Sequence, residues 1–218
     1  MEIILPETGE RVASPRLFCI GRNYASHARE MNSEVPTTPM VFLKPSTALV
    51  GTGGDVVLPP ASKDVHHEVE LVVVLGRRGK DIPEAEAMDY VAGYAVGLDM
   101  TARDLQAAAK KNGHPWTVAK GFDTFAPLGP IRPAAGLADP HACSIQLTIN
   151  GALRQQGVTA DMIFSIPRLI AYCSSIFTLL PGDLIFTGTP EGVGPVQHGD
   201  VLVATVSGLP PLTVTVRR

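Results

Sequence analysis

Charge is scarce in this chain: 18% of its 218 residues are charged, where soluble domains usually carry about 25%. The 18 Lys and Arg against 21 Asp and Glu leave a formal net charge of −3, with no basic cluster. That excludes nucleic-acid binding by phosphate neutralisation, which needs a basic stripe. Long apolar runs are missing too. The longest clear one, Leu71 to Leu75, falls far short of the roughly 20 residues of a membrane span, so no membrane partner is expected. The start, Met1-Glu2-Ile3-Ile4-Leu5-Pro6, lacks the basic and apolar regions of a secretory signal. Cysteine is rare. Cys19, Cys143 and Cys173 are odd in number and lie in apolar contexts without metal-ligand spacing, which points to reduced thiols and a cytoplasmic protein.

What is abundant is apolar content, at 45%, together with 21 glycines and 19 prolines. Such hydrophobicity rules out a disordered chain, and the spread of turn residues favours many short strands over a helix bundle. Residues 1–218 are expected to form a single domain. The low charge suggests that part of the surface is covered by a second copy. Strand-like runs occur at Leu17–Ile20, Met40–Leu43, Val69–Leu75, Ala92–Leu98, Ser144–Ile149, Asp183–Thr187, Val201–Val206 and Leu212–Val216, by β-propensity and alternation. Asn150-Gly151 is a type I′ hairpin signal. Tyr24–Met31 is expected to form a short helix. Thr101-x-x-Asp104 resembles a capping box opening a helix that stops at Asn112-Gly113. Ala160–Ser175 reads as a helix broken or kinked at Pro167. Strands and helices do not alternate regularly, which argues against a doubly wound sheet.

The segment His66-His67-Glu68-Val69-Glu70-Leu71 is the most informative. Alternation in a strand puts Glu68 and Glu70 on one face, and beyond Glu70 that face continues as Val72 and Val74. Two buried neighbouring carboxylates need a cation or a proton; the competing reading is a solvent-facing strand end. Asp99 ends another apolar run at a strand-to-helix junction, either as a functional group or as a helix-capping charge. Three carboxylates without thiolate suit a hard cation such as Mg2+ or Mn2+. A His66/Glu68/Glu70 iron site would need a further histidine, and His67 points to the opposite face. Arg103 and Gln106, three apart on the expected helix, can share a crevice, while Lys110 and Lys111 read as ordinary C-terminal dipole partners. Lys120 lies in apolar company, either functional or snorkelling to the surface. His27 and Glu30 are also three apart, as a base oriented by a carboxylate or as a surface ion pair.

Taken in order, these segments resemble the fumarylacetoacetate hydrolase superfamily, most closely its short single-domain acylpyruvase and oxaloacetate decarboxylase branch. The matching pieces are Ile20-Gly21-Arg22-Asn23-Tyr24-Ala25-x-His27, Phe42-Leu43-Lys44-Pro45, His66-His67-Glu68-Val69-Glu70-Leu71, Leu98-Asp99-Met100-Thr101-Ala102-Arg103-Asp104, Trp116-x-x-Ala119-Lys120 and Thr187-Gly188-Thr189-Pro190-x-Gly192-Val193-Gly194. The resemblance implies a β-rich α+β fold: a mixed-sheet β-roll of the fumarylacetoacetase C-terminal-domain type with a few short helices, usually a homodimer. It implies Mg2+ or Mn2+ on Glu68, Glu70 and Asp99. It places Arg22, Arg103, Gln106, Gly188 and Thr189 at the substrate, with Lys120 catalytic and a His27–Glu30 dyad on a lid. Two departures stand out: no Asp or Glu occurs between Leu17 and Arg29, where longer relatives supply a further acidic ligand, and Gly121 stands where relatives commonly carry Ser.

The reaction expected from this resemblance is metal-dependent hydrolysis of the C–C bond of an acylpyruvate, such as fumarylpyruvate or acetylpyruvate, to pyruvate and a carboxylic acid. The alternatives are oxaloacetate decarboxylation, oxaloacetate keto–enol tautomerisation, or isomerisation and decarboxylation of a 2-oxo-enedioate in aromatic catabolism. A non-catalytic binding protein on the same fold is the reading from another class.

Overall fold

In the computed structural model, which describes every residue except Met1, Glu7, Ser14, Asn32 and Ser33, the strand Val69–Leu75 is buried along its whole length. Its two faces feed two apolar clusters. Val69, Leu71, Val73 and Leu75 enter the larger one, and Val72 and Val74 enter the smaller. A strand covered on both sides reads as a continuous apolar run rather than an alternating one, which is why the sequence pattern lapses after Glu70.

This strand sits in the middle of a mixed sheet. Its order is Met40–Lys44, Leu17–Gly21, Leu184–Phe186, Val69–Leu75, Val91–Leu98, Ala126–Leu128 and Leu49–Gly51, with Arg132–Pro133 pairing beside Val91–Leu98. Leu184–Phe186 runs parallel to Leu17–Gly21 and antiparallel to Val69–Leu75. A second sheet, Ala152–Val158, Ser144–Ile149, Val201–Val206, Leu212–Arg217 and Asp55–Val57, packs Ile145, Leu147, Leu202, Ala204 and Val214 into the larger cluster. The mixed sheets form the expected roll with few helices.

Among the described residues, four α-helices decorate it: α1 (Ala25–Glu30), α2 (Arg103–Asn112), α3 (Thr117–Lys120) and α4 (Ile166–Ile176). Helix α2 stops at Gly113, whose φ of 65° supplies the left-handed turn, as expected. The Asn150-Gly151 hairpin is also present, with φ of 51° and 80°, the pair of positive values a type I′ turn requires.

Two local expectations are corrected. Thr101 does not cap α2. It lies buried in the short strand Thr101–Ala102 and its hydroxyl donates to the Asp99 carbonyl. Asp104 instead accepts from the Ser62 hydroxyl and the Lys63 amide, as well as from Leu105. Pro167 does not kink a long helix. It falls in the first turn of α4, behind the N-cap Ser165, where a missing N–H costs nothing and the fixed φ suits the helix; residues Thr159–Asp161 form a separate 3-10 turn.

Glycine at position 97 is dictated by packing. It faces Glu70 across the ladder, and a Cβ there would lie 2.5 Å from Val72 Cγ2 and 2.7 Å from Phe186 Cε1. Both neighbours are fully buried, so neither can swing away. Gly97→Ala should therefore cost about 1–3 kcal/mol in urea unfolding. An unchanged midpoint would show that the sheet has slack here.

Candidate metal and oxo-acid site

The carboxylates meet because the ladder brings them together. Val69 pairs with Leu98 and Glu70 with Gly97, and one step further the Asp99 amide donates to the Glu68 carbonyl at 2.8 Å. Glu68, Glu70 and Asp99 are 5%, 1% and 1% exposed, and each offers an oxygen within 4.8 Å of the others. The cavity beside them is narrow, about 30 Å³, room for on the order of two waters.

Burial at this density of negative charge requires compensation. Lys120 Nζ reaches Glu68 Oε2 at 2.8 Å and Asp99 Oδ2 at 2.6 Å. Arg103 holds Glu68 Oε1 at 2.5 Å and also donates to Gln106 at 2.9 Å. Lys44 lies 2.6 Å from Asp99 Oδ1, and donates to the carbonyls of Met100 and Phe125 at 2.9 and 2.5 Å. Burial alone would push Glu68 up, but Lys120 and Arg103 outweigh it and hold its carboxyl well below the ordinary range. Burial would likewise lower Lys120, yet Asp99 and Glu68 raise it.

Glu70 is different. Its carboxylate accepts a hydrogen bond from the Gly188 amide, at 2.8 Å, and no ion pair reaches it among the described residues. Burial, then Asp99 and Glu68, push its carboxyl well above the ordinary range. A dication seated among the three carboxylates would supply the missing charge, and an all-oxygen donor set fits Mg2+ or Mn2+. No histidine joins the cluster among the described residues: His66 Nε2 faces Asp64 at 2.9 Å and His67 Nδ1 faces Gln155 at 2.8 Å.

The other expected residues converge on the same cavity. Arg22, His27, Arg103, Gln106, Lys120 and Thr189 all line it. His27 Nδ1 lies 3.1 Å from Glu30 Oε2, and Glu30 Oε1 accepts from the Gly192 amide at 3.0 Å. Helix α1 is fastened at its entry by buried Asn23, which donates to the carbonyls of Thr187 and Phe164 and accepts from the Phe164 amide. Arg22, just before it, has φ of 59°, an unusual conformation for a non-glycine residue that often marks functional sites. Gly188, expected at the substrate, spends its amide on Glu70 and does not line the cavity. At Gly121 a Cβ would meet the Thr117 carbonyl at 2.8 Å and Pro45 Cδ at 3.2 Å, so a serine here would require a shift of α3.

Three residues escaped sequence reasoning. Lys44 stands out in the sequence only as part of Phe42-Leu43-Lys44-Pro45, yet it is fully buried against Asp99. Lys110 lines the cavity, with its ammonium 5.3 Å from the Trp116 ring centroid. The steps of three and then four along Arg103, Gln106 and Lys110 are the helical-face signal that marks it. Gln155, discussed below, carried no signal.

Residues 16–217 match the family model for the fumarylacetoacetate (FAA) hydrolase C-terminal domain. The chain belongs to this family. Among curated members, oxaloacetate tautomerase FAHD1 of Arabidopsis thaliana is 51% identical over 93% of this chain and 91% of its own. The Homo sapiens counterpart is 50% identical over the same shares. Among solved structures, fumarylpyruvate hydrolase from Pseudomonas aeruginosa, in complex with Mn2+ and pyruvate, superposes with a TM-score of 0.93 at 40% identity, covering 100% of this chain and 95% of that one. Family members thus include both hydrolases and tautomerases, and one neighbour binds Mn2+; the chain is an enzyme of this family.

The Glu70 environment gives a test with a definite sign. Its folded-state pKa is raised, so its contribution to stability is complete below the ordinary glutamate pKa and lost as pH rises through the raised value. Metal-free protein should therefore lose melting temperature relative to Glu70→Gln as pH rises from about 5, above the unperturbed value of about 4.3, and added Mn2+ should reverse the loss. Parallel pH profiles for the two proteins would contradict this.

Proposed function

We propose that the chain is a metal-dependent enolising enzyme for a small 2-oxo dicarboxylate, with keto–enol tautomerisation of oxaloacetate as its main reaction. The observation that carries this reading is the charge pattern around one proton-moving dyad. Lys44, Lys120 and Arg103 pair with Glu68 and Asp99 and leave Glu70 to a bound dication, so that three carboxylates, three cations and the dication sum to two positive charges, matched to a dianion. Arg22 and Lys110 add unspent cations: neither has a carboxylate partner among the described residues, and both line the cavity.

A dication held by Glu68, Glu70 and Asp99 would stabilise the negative charge that develops on the 2-oxo oxygen. Lys120 and Arg103 set positive charge beside the 2-oxo-acid end, and Thr189 and Gln106 offer hydrogen bonds there. His27 is oriented by Glu30 through Nδ1, which leaves Nε2 to take the proton from C3. The C–H electron pair becomes the enolate, and delivery of the proton to oxygen completes the enol. The far carboxylate is placed toward Arg22 and Lys110. Beyond them an adjoining cavity of about 420 Å³, sharing Arg103, Gln106 and Lys110 with the first, opens along α2.

A second reading has its own support in the fumarylpyruvate hydrolase likeness and in that adjoining space, which suits a longer acyl chain. There His27 takes a proton from water attacking C4, and the C3–C4 electron pair goes to the pyruvate enolate. The same residues serve both reactions. Decarboxylation of oxaloacetate reaches the same pyruvate enolate by loss of CO2, and isomerisation of a ring-cleavage product passes through the enolate of that substrate.

The metal is proposed as Mg2+ or Mn2+. The working unit is proposed as a homodimer, supported by exposed Leu43, Val118 and Ile176 at 43%, 65% and 52%. Among the described residues no helix is long and apolar enough to cross a membrane. The three free, buried cysteines fit a reducing compartment such as the cytoplasm.

A substrate panel with Mn2+, following the enol absorbance and identifying products, tests the reaction. Rapid loss of enol-oxaloacetate signal with oxaloacetate retained supports tautomerisation; appearance of pyruvate and a carboxylic acid only from acylpyruvates would replace it with hydrolysis. His27→Ala should lower turnover by about 10²–10⁴-fold. Lys110→Ala should raise KM for oxaloacetate about tenfold, the worth of one charged hydrogen bond, while sparing acetylpyruvate. Equal effects on both substrates would remove Lys110 from far-end recognition.

A further inference from the structure

We propose that Gln155 is a positioning residue of the oxo-acid site, acting through Thr189. Its side chain is 1% exposed and stands outside the cavity lining, so it does not touch substrate. Its amide makes four hydrogen bonds. Oε1 accepts from the Val69 amide at 3.0 Å and faces His67 Nδ1 at 2.8 Å; Nε2 donates to Thr189 Oγ1 at 2.8 Å and to the Pro190 carbonyl at 2.9 Å.

The orientation of this amide has one solution. Val69 N–H can only donate and the Pro190 carbonyl can only accept, so oxygen faces the strand and nitrogen faces the turn. His67 must then carry its proton on Nδ1. The consequence that matters is at Thr189. Because its oxygen accepts a hydrogen bond from Gln155, its own hydroxyl proton is free to be donated into the cavity that Thr189 lines. The site thereby gains a donor whose direction is fixed before an anion arrives. Gln155 also ties together the two segments that bear the site's groups: Val69 lies between Glu68 and Glu70, and Thr189 follows the Gly188 amide that holds Glu70.

The backbone goes out of its way to deliver this side chain. From the Asn150-Gly151 turn, Ile149 pairs with Ala152 and Thr148 with Leu153, so a regular ladder would set Arg154 opposite Leu147 on the inner face. A bulge between Leu147 and Thr148 shifts the register, and Leu147 pairs with Gln155 instead. One extra residue exchanges an arginine for a glutamine at the inner position. Two residues on, Gly157 keeps that face open for the turn: a Cβ there would lie 2.7 Å from Pro190 Cβ.

This inference rests on the reading that Thr189 faces the oxo acid. The test uses the full-length protein loaded with Mn2+ and calorimetric binding of oxalate, a dianion that needs no turnover. Thr189→Val should weaken oxalate about tenfold, and Thr189→Ser should restore it. Gln155→Met should weaken oxalate by a similar factor, and Gln155→Met combined with Thr189→Val should be no weaker than either alone. If Gln155→Met fails to fold, Gln155→Asn, a polar side chain one methylene too short to span strand and turn, takes its place in the cycle. Multiplying losses, or a Gln155 variant that binds oxalate as wild type does, would overturn the proposal, and so would an effect at Gln155 without one at Thr189. The reaction proposed above fails separately, by absent turnover of oxo acids with this coupling intact.

Discussion

Three carboxylates buried in the centre of a sheet are the constraint on which the rest of the structure depends. Glu68, Glu70 and Asp99 would not stay ionised in apolar surroundings unaided. The chain answers with Lys44 from one side of the sheet, Lys120 from α3 and Arg103 from the first turn of α2. Each of these is itself buried or nearly so, so anions and cations depend on one another. Removing one member would strand its partner, the costly way to break a buried pair. Glu70 is the exception within this balance, and its upward shift marks the place where positive charge is lacking.

The fold serves that arrangement by setting one buried strand pair beneath two segments fastened by hydrogen bonds. The ladder between Val69–Leu75 and Val91–Leu98 fixes the carboxylates through backbone pairing. Above them, α1 carries His27, held by Asn23 at its entry and by the Glu30–Gly192 bond at its exit. The turn after Leu184–Phe186 carries Thr189, clamped through Gln155. Helix α2 supplies a line of groups on one face, Arg103, Gln106 and Lys110, that runs outward from the carboxylates into the adjoining cavity. The substrate proposed above, with charge at both ends, matches that line.

Much of this was legible in the residues, for reasons that are local. Glu68 and Glu70 announce themselves because the strand alternates and the apolar run continues on their face. The Asn150-Gly151 turn is written in two residues that tolerate positive φ. The ordered motifs then located His27, Lys120 and Thr189, which no single spacing could promote above an ordinary surface or core role. What stayed hidden depends on distant parts of the chain. Thr101 looked like a cap because a capping box is a local pattern, whereas its strand pairing with His66 is not. Lys44 precedes a proline at the end of an apolar strand, and only the tertiary fold shows Asp99 beside it. Gln155 is the extreme case: nothing in Leu153-Arg154-Gln155-Gln156 marks the extra residue of the bulge, and the turn's own register favours Arg154.

If the carboxylate trio holds one hard dication, as proposed, titration of the protein with Mn2+, followed by electron paramagnetic resonance of the free ion, shows it directly. One Mn2+ per chain is expected, with at least about tenfold weaker binding in Asp99→Asn and that variant still folded. Undiminished Mn2+ binding by that variant would contradict it.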